Sequence, residues 1–433
     1  MKTKLLLACT ALFLSFELAP QAQQSSLGRT PLTAIVGGRL IDGRGGPAID
    51  DSVVIVNDDH FAAVGPRALV GVPAGATVVN ATGKTLIPGL VDAHYHLNQP
   101  PDEMKRLFIV ALHWGVTTFR VTGNDKREAV ALYHQVQQGA VPGPRVYTSG
   151  QGFSVSGPYE NAPVFRPKSA EEARGNVRDL KAQGVDFLKL WMTNPKFPPD
   201  VISAILDEAK KQGIPVVTHV TDQDSLRQLA DQGVTDFMHE STDKPITPEL
   251  IAYIKAHRLS FVPTIANGES GYYYYEHPEF LKLPAAMDGF YARGRAMLID
   301  PARAQQMLSS PQLADRKKRI TDMLPFVKLM HDNGIRVVTG TDGGAEASQT
   351  TPIGHSTHRE LQLFVEAGVP PLAAIRDATL DAARVLERTD DPTYGSVQPG
   401  KIADLVILDA DPTVNIYNID KINRVMRAGR WVE

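Results

Sequence analysis

From Leu86 onward the chain alternates short apolar runs with amphipathic stretches of helical period, and this alternation limits the fold more than any other feature. Apolar strands separated by helices cannot pair as hairpins; each strand returns over a helix to lie parallel to its predecessor. Eight candidate strands can be counted. They end at or include His94-Tyr95-His96, Val116–Val121, Arg145–Ser149, Asp186–Trp191, Pro215–His219, Asp236–Glu240, Ser260–Thr264 and Val337–Asp342. Between them, Ser169 with Glu172 forms a capping box for a helix that stops before Gly184. Helices over 200–212, 225–232 and 322–333 stop at Gly213, Gly233 and Gly334, the residue type suited to a left-handed C-terminal position. Eight strands and their helices are what a (β/α)8 TIM barrel requires.

The flanks read differently. Residues 34–43 contain Gly37-Gly38 and close in Asp42-Gly43, and 52–56 and 74–80 are β-rich. Beyond helices over 358–367 and 372–388, residues 394–409 return to turn-and-strand character. The expectation is an α/β protein: a barrel over 85–394 inserted in a small β-sandwich domain built from both chain ends, 24–84 and 395–433. Residues 269–320 form a long insertion between the seventh and eighth strands. Its Gly271-Tyr272-Tyr273-Tyr274-Tyr275-Glu276-His277 is either an ordinary packed loop and helix or an aromatic wall over the barrel mouth.

Residues 1–23 read as a signal peptide: Lys2 and Lys4, an apolar run from Leu5 to Phe16 too short for a comfortable membrane span, then small and polar residues. The mature chain is therefore expected to be periplasmic or secreted. Cys9, the single cysteine, excludes an intrachain disulfide and falls in the leader, so any metal must take His and carboxylate ligands. A net charge of −3 gives no reason to expect nucleic acid, and no membrane partner is expected once the leader is removed. The expected partner is a small-molecule substrate, and a homo-oligomer is compatible with a large barrel.

Ionisable residues collect at the strand ends. His94 and His96, one residue apart, project together from a strand and suit a divalent metal; the plain alternative is one core and one exposed histidine. Lys189 is embedded among Phe187, Leu188, Leu190 and Trp191. A buried lysine loses its charge, and a neutral amine can react with CO₂ to give a carbamate whose two oxygens bridge two cations. His219 and His239 close the fifth and sixth strands, where the alternative is two core histidines. Asp342 closes the eighth, where the alternative is a turn or cap aspartate. All six would converge on the C-terminal end of the strands, where barrel active sites form.

These stretches carry a resemblance. Leu86–His96, Gly184–Lys189, Thr339–Asp342 and Pro399–Leu405 are similar to motifs of the amidohydrolase superfamily, in its imidazolonepropionase-like and prolidase-like branch. The resemblance implies two divalent metal ions, zinc by default, with His94, His96 and Asp342 on one, His219 and His239 on the other, and N6-carboxylated Lys189 bridging them. It implies a shared hydroxide as nucleophile, with Asp342 as general base and acid and Lys189 and His239 as part of the catalytic set. The reading that follows is a metal-dependent amidohydrolase cleaving the amide C–N bond of a dipeptide or N-acyl amino acid. A lactone or ester hydrolase on the same site and a non-catalytic binding barrel are its rivals. Many members of the branch carry a glycine–histidine loop after the third strand; here 150–159 stands there, and Tyr159 is a candidate carbonyl hydrogen-bond donor. His358 is a candidate substrate contact or a helix-start residue. Arg120 would bind a substrate carboxylate or pair with a carboxylate of the barrel, the latter preferred.

Overall fold

The computed structural model describes residues 32–97, 99–155, 163–283, 286–344 and 350–433, so the leader and Tyr159 lie outside the described residues. The described residues form sixteen strands: β1 (Thr33–Leu40), β2 (Ile49–Asn57), β3 (His60–Pro66), β4 (Thr77–Asn80), β5 (Thr85–Pro88), β6 (Leu90–Tyr95), β7 (Val116–Val121), β8 (Arg145–Thr148), β9 (Leu188–Trp191), β10 (Val216–His219), β11 (Asp236–Met238), β12 (Ser260–Val262), β13 (Arg336–Val337), β14 (Leu405–Leu408), β15 (Ile422–Arg427) and β16 (Arg430–Trp431).

Strands from both chain ends meet in one sheet of order β16-β15-β14-β5-β1-β2-β3, with β4 beside β1. The join is the antiparallel pair β5–β14, where Leu86 faces Ile407. Alternate residues serve opposite faces, as the pleat demands. Ile35 and Val54 enter one apolar cluster, while their neighbours Val36 and Val53 enter another. The pairing is that of one continuous sheet rather than the expected two facing sheets. Apolar runs mark strands with two buried faces but do not say which strands are neighbours.

After Gly89 the chain leaves this sheet for the parallel strands. These form a three-stranded sheet, β6-β7-β8, and a five-stranded sheet, β9 to β13, every pairing parallel. The ladder is interrupted at two seams, and backbone bonds cross each. Ala93 N donates to Thr339 O at 2.9 Å, and Phe153 takes the place of a ladder partner for β9, with Phe153 N to Lys189 O at 2.8 Å. The eighth strand is shorter than expected. Only Arg336–Val337 pairs with β12, and the next residues turn toward β6.

Helix boundaries follow local chemistry in most places. Ser169 caps the helix Ala170–Gln183 by accepting from Glu172 N at 3.2 Å, and Gly184 closes it at φ +76°. The helix expected over 372–388 is instead two, Pro371–Asp377 and Leu380–Glu387. The break frees the carbonyl of Ala378, which accepts from Val91 N of β6 at 2.9 Å. A buried strand donor needs a partner, and that need outweighs helical continuity here. The interior between the strands holds Val91, Ala93, Phe187, Val217, Met238, Val262 and Val338, all buried. Polar side chains collect beyond the C-terminal ends. Among the described residues no helix is long and apolar enough to cross a membrane.

Candidate metal centre

The carboxylate of Asp342 is carried to His94 of β6 and to His96 just beyond it by backbone contact. Thr341 N and Asp342 N both donate to His94 O, at 3.0 and 2.7 Å. The close approach requires glycine at 340, because a Cβ there would lie 2.8 Å from His94 N and 2.4 Å from Val262 Cγ1. Asp342 Oδ1 then sits 2.9 Å from His96 Nε2 and 3.2 Å from His94 Nε2. His96 Nδ1 lies 3.4 Å from the carbonyl of Gly123, which can only accept, so its proton is spent there. Nε2 and the carboxylate oxygen thus face each other across a gap that a proton or a cation must bridge. Ligand atoms of His94, His96 and Asp342 all lie within 4.8 Å of one another.

His219 closes β10 and His239 follows β11, with ring centroids 4.4 Å apart; the His239 ring is 5.3 Å from that of His94. His239 Nδ1 shares a 2.8 Å hydrogen bond with Thr264 Oγ1, which fixes the ring and leaves Nε2 without a partner among the described residues. His239, Thr264 and Asp342 all take left-handed backbone, at φ +70°, +60° and +49°. Non-glycine residues adopt it rarely, at a cost of order 1–3 kcal/mol each, and such strain collects at functional sites. Here it turns each chain sharply after its strand and aims the side chain inward.

Lys189 is fully buried, and its Nζ has no hydrogen-bond partner among the described residues; the Trp191 ring lies 5.4 Å away. Burial brings its pKa down to about 7, with Asp342 opposing and the Arg120 charge assisting. Burial and then the Lys189 charge bring His219 down to about 4. The same two causes hold His94 well below the ordinary imidazole range, and burial with His219 does so for His239. Burial alone would raise Asp342, but the charge of His94 and hydrogen bonds from His94 and His96 outweigh it and hold the carboxyl well below its usual range. Neutral imidazoles and an ionised carboxylate are the ligating forms.

Among the described residues, Nδ1 of His94, Nε2 of His239 and Nζ of Lys189 are buried with no hydrogen-bond partner, and Nε2 of His94 meets only Asp342 Oδ1, at 3.2 Å. Such groups are costly when left alone. Nitrogen and carboxylate donors gathered without thiolate suit divalent cations, so the residues fit a metal centre. Lys189 stands within electrostatic reach of His94, His219, His239 and Asp342. The six residues named from the sequence are thus neighbours.

Other residues named from the sequence fall elsewhere. Arg120 is committed to Asp236, with a close contact from Nη1 and a second from Nη2 at 3.3 Å, while its Nε donates to Ala93 O at 2.7 Å. All of this is buried. Arg120→Met should destabilise the fold by about 3–5 kcal/mol by stranding the Asp236 charge. Urea denaturation of the purified variant measures this. His358 has both nitrogens engaged, Nδ1 with Asp420 Oδ1 at 2.8 Å and Nε2 with Trp114 O at 2.7 Å, an arrangement that ties a helix start to the chain's C-terminal segment and leaves nothing for a substrate. The four tyrosines 272–275 are buried, three of them packed with Phe290 and Leu298 inside the insertion; they are core rather than a wall. The insertion reaches the site through Tyr291, whose hydroxyl donates to His96 O at 3.2 Å, and just before it the amide of Asn267 donates to Asp342 O at 2.7 Å.

Two supporting acids were not singled out from the sequence. Asp92 Oδ1 accepts from His94 N at 3.1 Å and Thr341 N at 3.2 Å, and Oδ2 accepts from Thr341 Oγ1 at 2.8 Å. Burial raises its pKa to about 6, against these bonds. The two-residue period that pairs His94 with His96 also puts Asp92 on their face. Glu240, next to His239, is pushed up to about 8 by burial. Its only signal was its place at a strand end.

Buried imidazoles, a carboxylate and a buried amine gathered toward the C-terminal ends of parallel strands are the donor set of a metal site in an α/β protein. The chain belongs to the amidohydrolase family, whose model matches residues 85–432. It is similar to an imidazolonepropionase of Treponema denticola, 23% identical over 82% of this chain and 85% of that protein. It is also similar to an adenine deaminase of Desulfitobacterium hafniense, 25% identical over 84% of this chain, though the chain spans only about half, 54%, of that relative's length. Among solved structures, a putative prolidase from Bifidobacterium longum superposes with TM-score 0.73 at 26% identity, covering 93% of this chain and 95% of the other.

Proposed function

We propose that this protein is an exported binuclear hydrolase that cleaves the amide C–N bond of a dipeptide or N-acyl amino acid. The observation that carries the reading is the buried, unpartnered amine of Lys189 among four histidines and Asp342. A structural lysine in that position would have no compensating bond. Neutral Nζ attacks CO₂, an N–C bond forms, one proton leaves, and the resulting carbamate supplies two oxygens. His94, His96 and Asp342 would hold one cation, His219 and His239 the other, and the carbamate both. When bound, the cations supply an activated water and polarise the scissile carbonyl. Asp342 accepts the proton of the attacking water and returns it to the leaving nitrogen, with Asn267 holding its backbone in place. Thr264 keeps His239 Nε2 turned inward. We read the two parallel sheets as a (β/α)8 barrel opened at its two seams, a reading that the prolidase likeness supports. That likeness also favours dipeptides over lactones.

The test uses metal-stripped mature protein with Zn²⁺, with and without bicarbonate, at pH 6 and 8. Loading should need bicarbonate and be faster at pH 8, because Lys189 is protonated below about pH 7 and cannot add CO₂. The loaded protein should then hydrolyse Xaa-Pro dipeptides or N-acyl amino acids. Loading indifferent to bicarbonate would remove the carbamate, and hydrolysis confined to lactones would replace the amide reading with the ester one.

A further inference from the structure

A cavity of about 620 Å³ opens at the other end of the strands. It lies against Asp236, Ser260 and Arg336, the first residues of β11, β12 and β13, whereas His219 closes β10 and His96 and His239 follow the last residues of β6 and β11. Its walls carry five cations, Lys255, Arg258, Arg336, Arg384 and Arg388, against two carboxylates, Asp236 and Asp390. Both carboxylates are already engaged: Asp236 by buried Arg120, and Asp390 by Arg336 at 3.3 Å. Arg384 donates to Asp381 at 2.8 Å. Among the described residues, Lys255, Arg258 and Arg388 have no carboxylate at ion-pair distance. Lys255 reaches only the amide oxygen of Asn333 at 3.4 Å, and Arg388 only Thr235 Oγ1 at 3.2 Å.

Cations after helix C-termini are ordinary partners of the helix dipole, and that would explain Lys255 or Arg388 singly. It does not explain the backbone. The helices Ala170–Gln183 and Pro199–Gln212 are closed by glycine in the left-handed conformation, Gly184 at φ +76° and Gly213 at φ +65°. Gly233 and Gly334 do the same after two further helices, at +90° and +67°. After Pro248–Ala256 and Leu380–Glu387 the left-handed position is held by an arginine, Arg258 at φ +53° and Arg388 at φ +56°. Both arginines accept backbone strain that glycine would avoid, and both line this cavity. Ile254, Leu259, Ile335 and Val385 give the same cavity an apolar floor.

We propose that this cavity is a binding site for a small polyanion, a molecule with two or more oxyanion charges on a compact carbon skeleton, held by Arg258, Arg388 and Lys255. Phosphate esters and polycarboxylates share this chemistry. The probes are phenyl phosphate and tricarballylate, titrated calorimetrically into metal-loaded protein at fixed ionic strength, with Arg258→Gly/Arg388→Gly alongside. Glycine removes both charges and relieves both left-handed residues, so the variant should fold at least as well as the parent and keep its metal. The parent should bind one probe per chain with Kd below about 1 mM, and the variant should bind at least about tenfold more weakly, a change of about 1.4 kcal/mol. A preference for one probe identifies a phosphate ester or a polycarboxylate as the ligand class. Absence of binding to the parent, equal binding by the variant, or a signal that chloride reproduces at equal ionic strength would each overturn the proposal. Lys255→Gln, at an exposed position, gives an independent variant expected to weaken binding in the same direction.

Discussion

Lys189→Ala should reduce the bound metal from about two ions per chain to one or fewer and lower kcat/KM by about 10³-fold or more, the scale of losing one preorganised electrostatic element. The side chain is wholly buried, its amine has no hydrogen bond among the described residues, and burial brings its pKa to about 7. Removing a merely structural lysine from such a place would relieve an unsatisfied group and stabilise the chain. Removing a bridge instead separates the His94–His96–Asp342 set from the His219–His239 pair. Elemental analysis and urea denaturation of the same preparation distinguish the two. Full metal content with a more stable fold would make Lys189 a passenger. Short carboxylic acids added to the variant should restore part of the metal and activity by supplying bridging oxygens.

Asp342→Asn should lower kcat by about 10³- to 10⁴-fold, near the upper range for a positioned acid–base group, with a smaller loss of metal. The amide keeps an oxygen near His96 Nε2, where Oδ1 now lies at 2.9 Å, but it cannot take a proton. The acidic limb of the kcat–pH profile should go with it. The His94 charge and bonds from His94 and His96 hold Asp342 below the usual carboxylate range, so the parent should keep activity well into acid before the ligands themselves protonate. A kcat within about tenfold of the parent at equal metal content would take proton transfer away from Asp342.

Much of the site was legible because its residues obey two simple periods. Apolar runs of strand length, each followed by a helix that stops at glycine, required parallel strands, and the ends of those strands were where His94, His96, Lys189, His219, His239 and Asp342 stood. Asp92 obeys the same alternation as His94 and His96 and could have been found by it. Arg120 was readable as a buried charge needing a carboxylate, but Asp236, 116 residues away, was not readable as its partner. The tyrosines of the insertion show why: aromatic residues look the same in sequence whether they line a mouth or pack against Phe290 and Leu298.

By itself the sequence determined the parallel α/β plan, the crossing of both chain ends into β structure, and the donor chemistry of the site, because these depend on local period and residue type. The tertiary structure alone decided that the terminal strands form one sheet joined at Leu86 and Ile407, that the helix near Ala378 breaks to serve Val91, and that His239, Thr264 and Asp342 turn left-handed. Those choices satisfy donors and close contacts supplied by residues far away in the chain, and no local pattern carries that information.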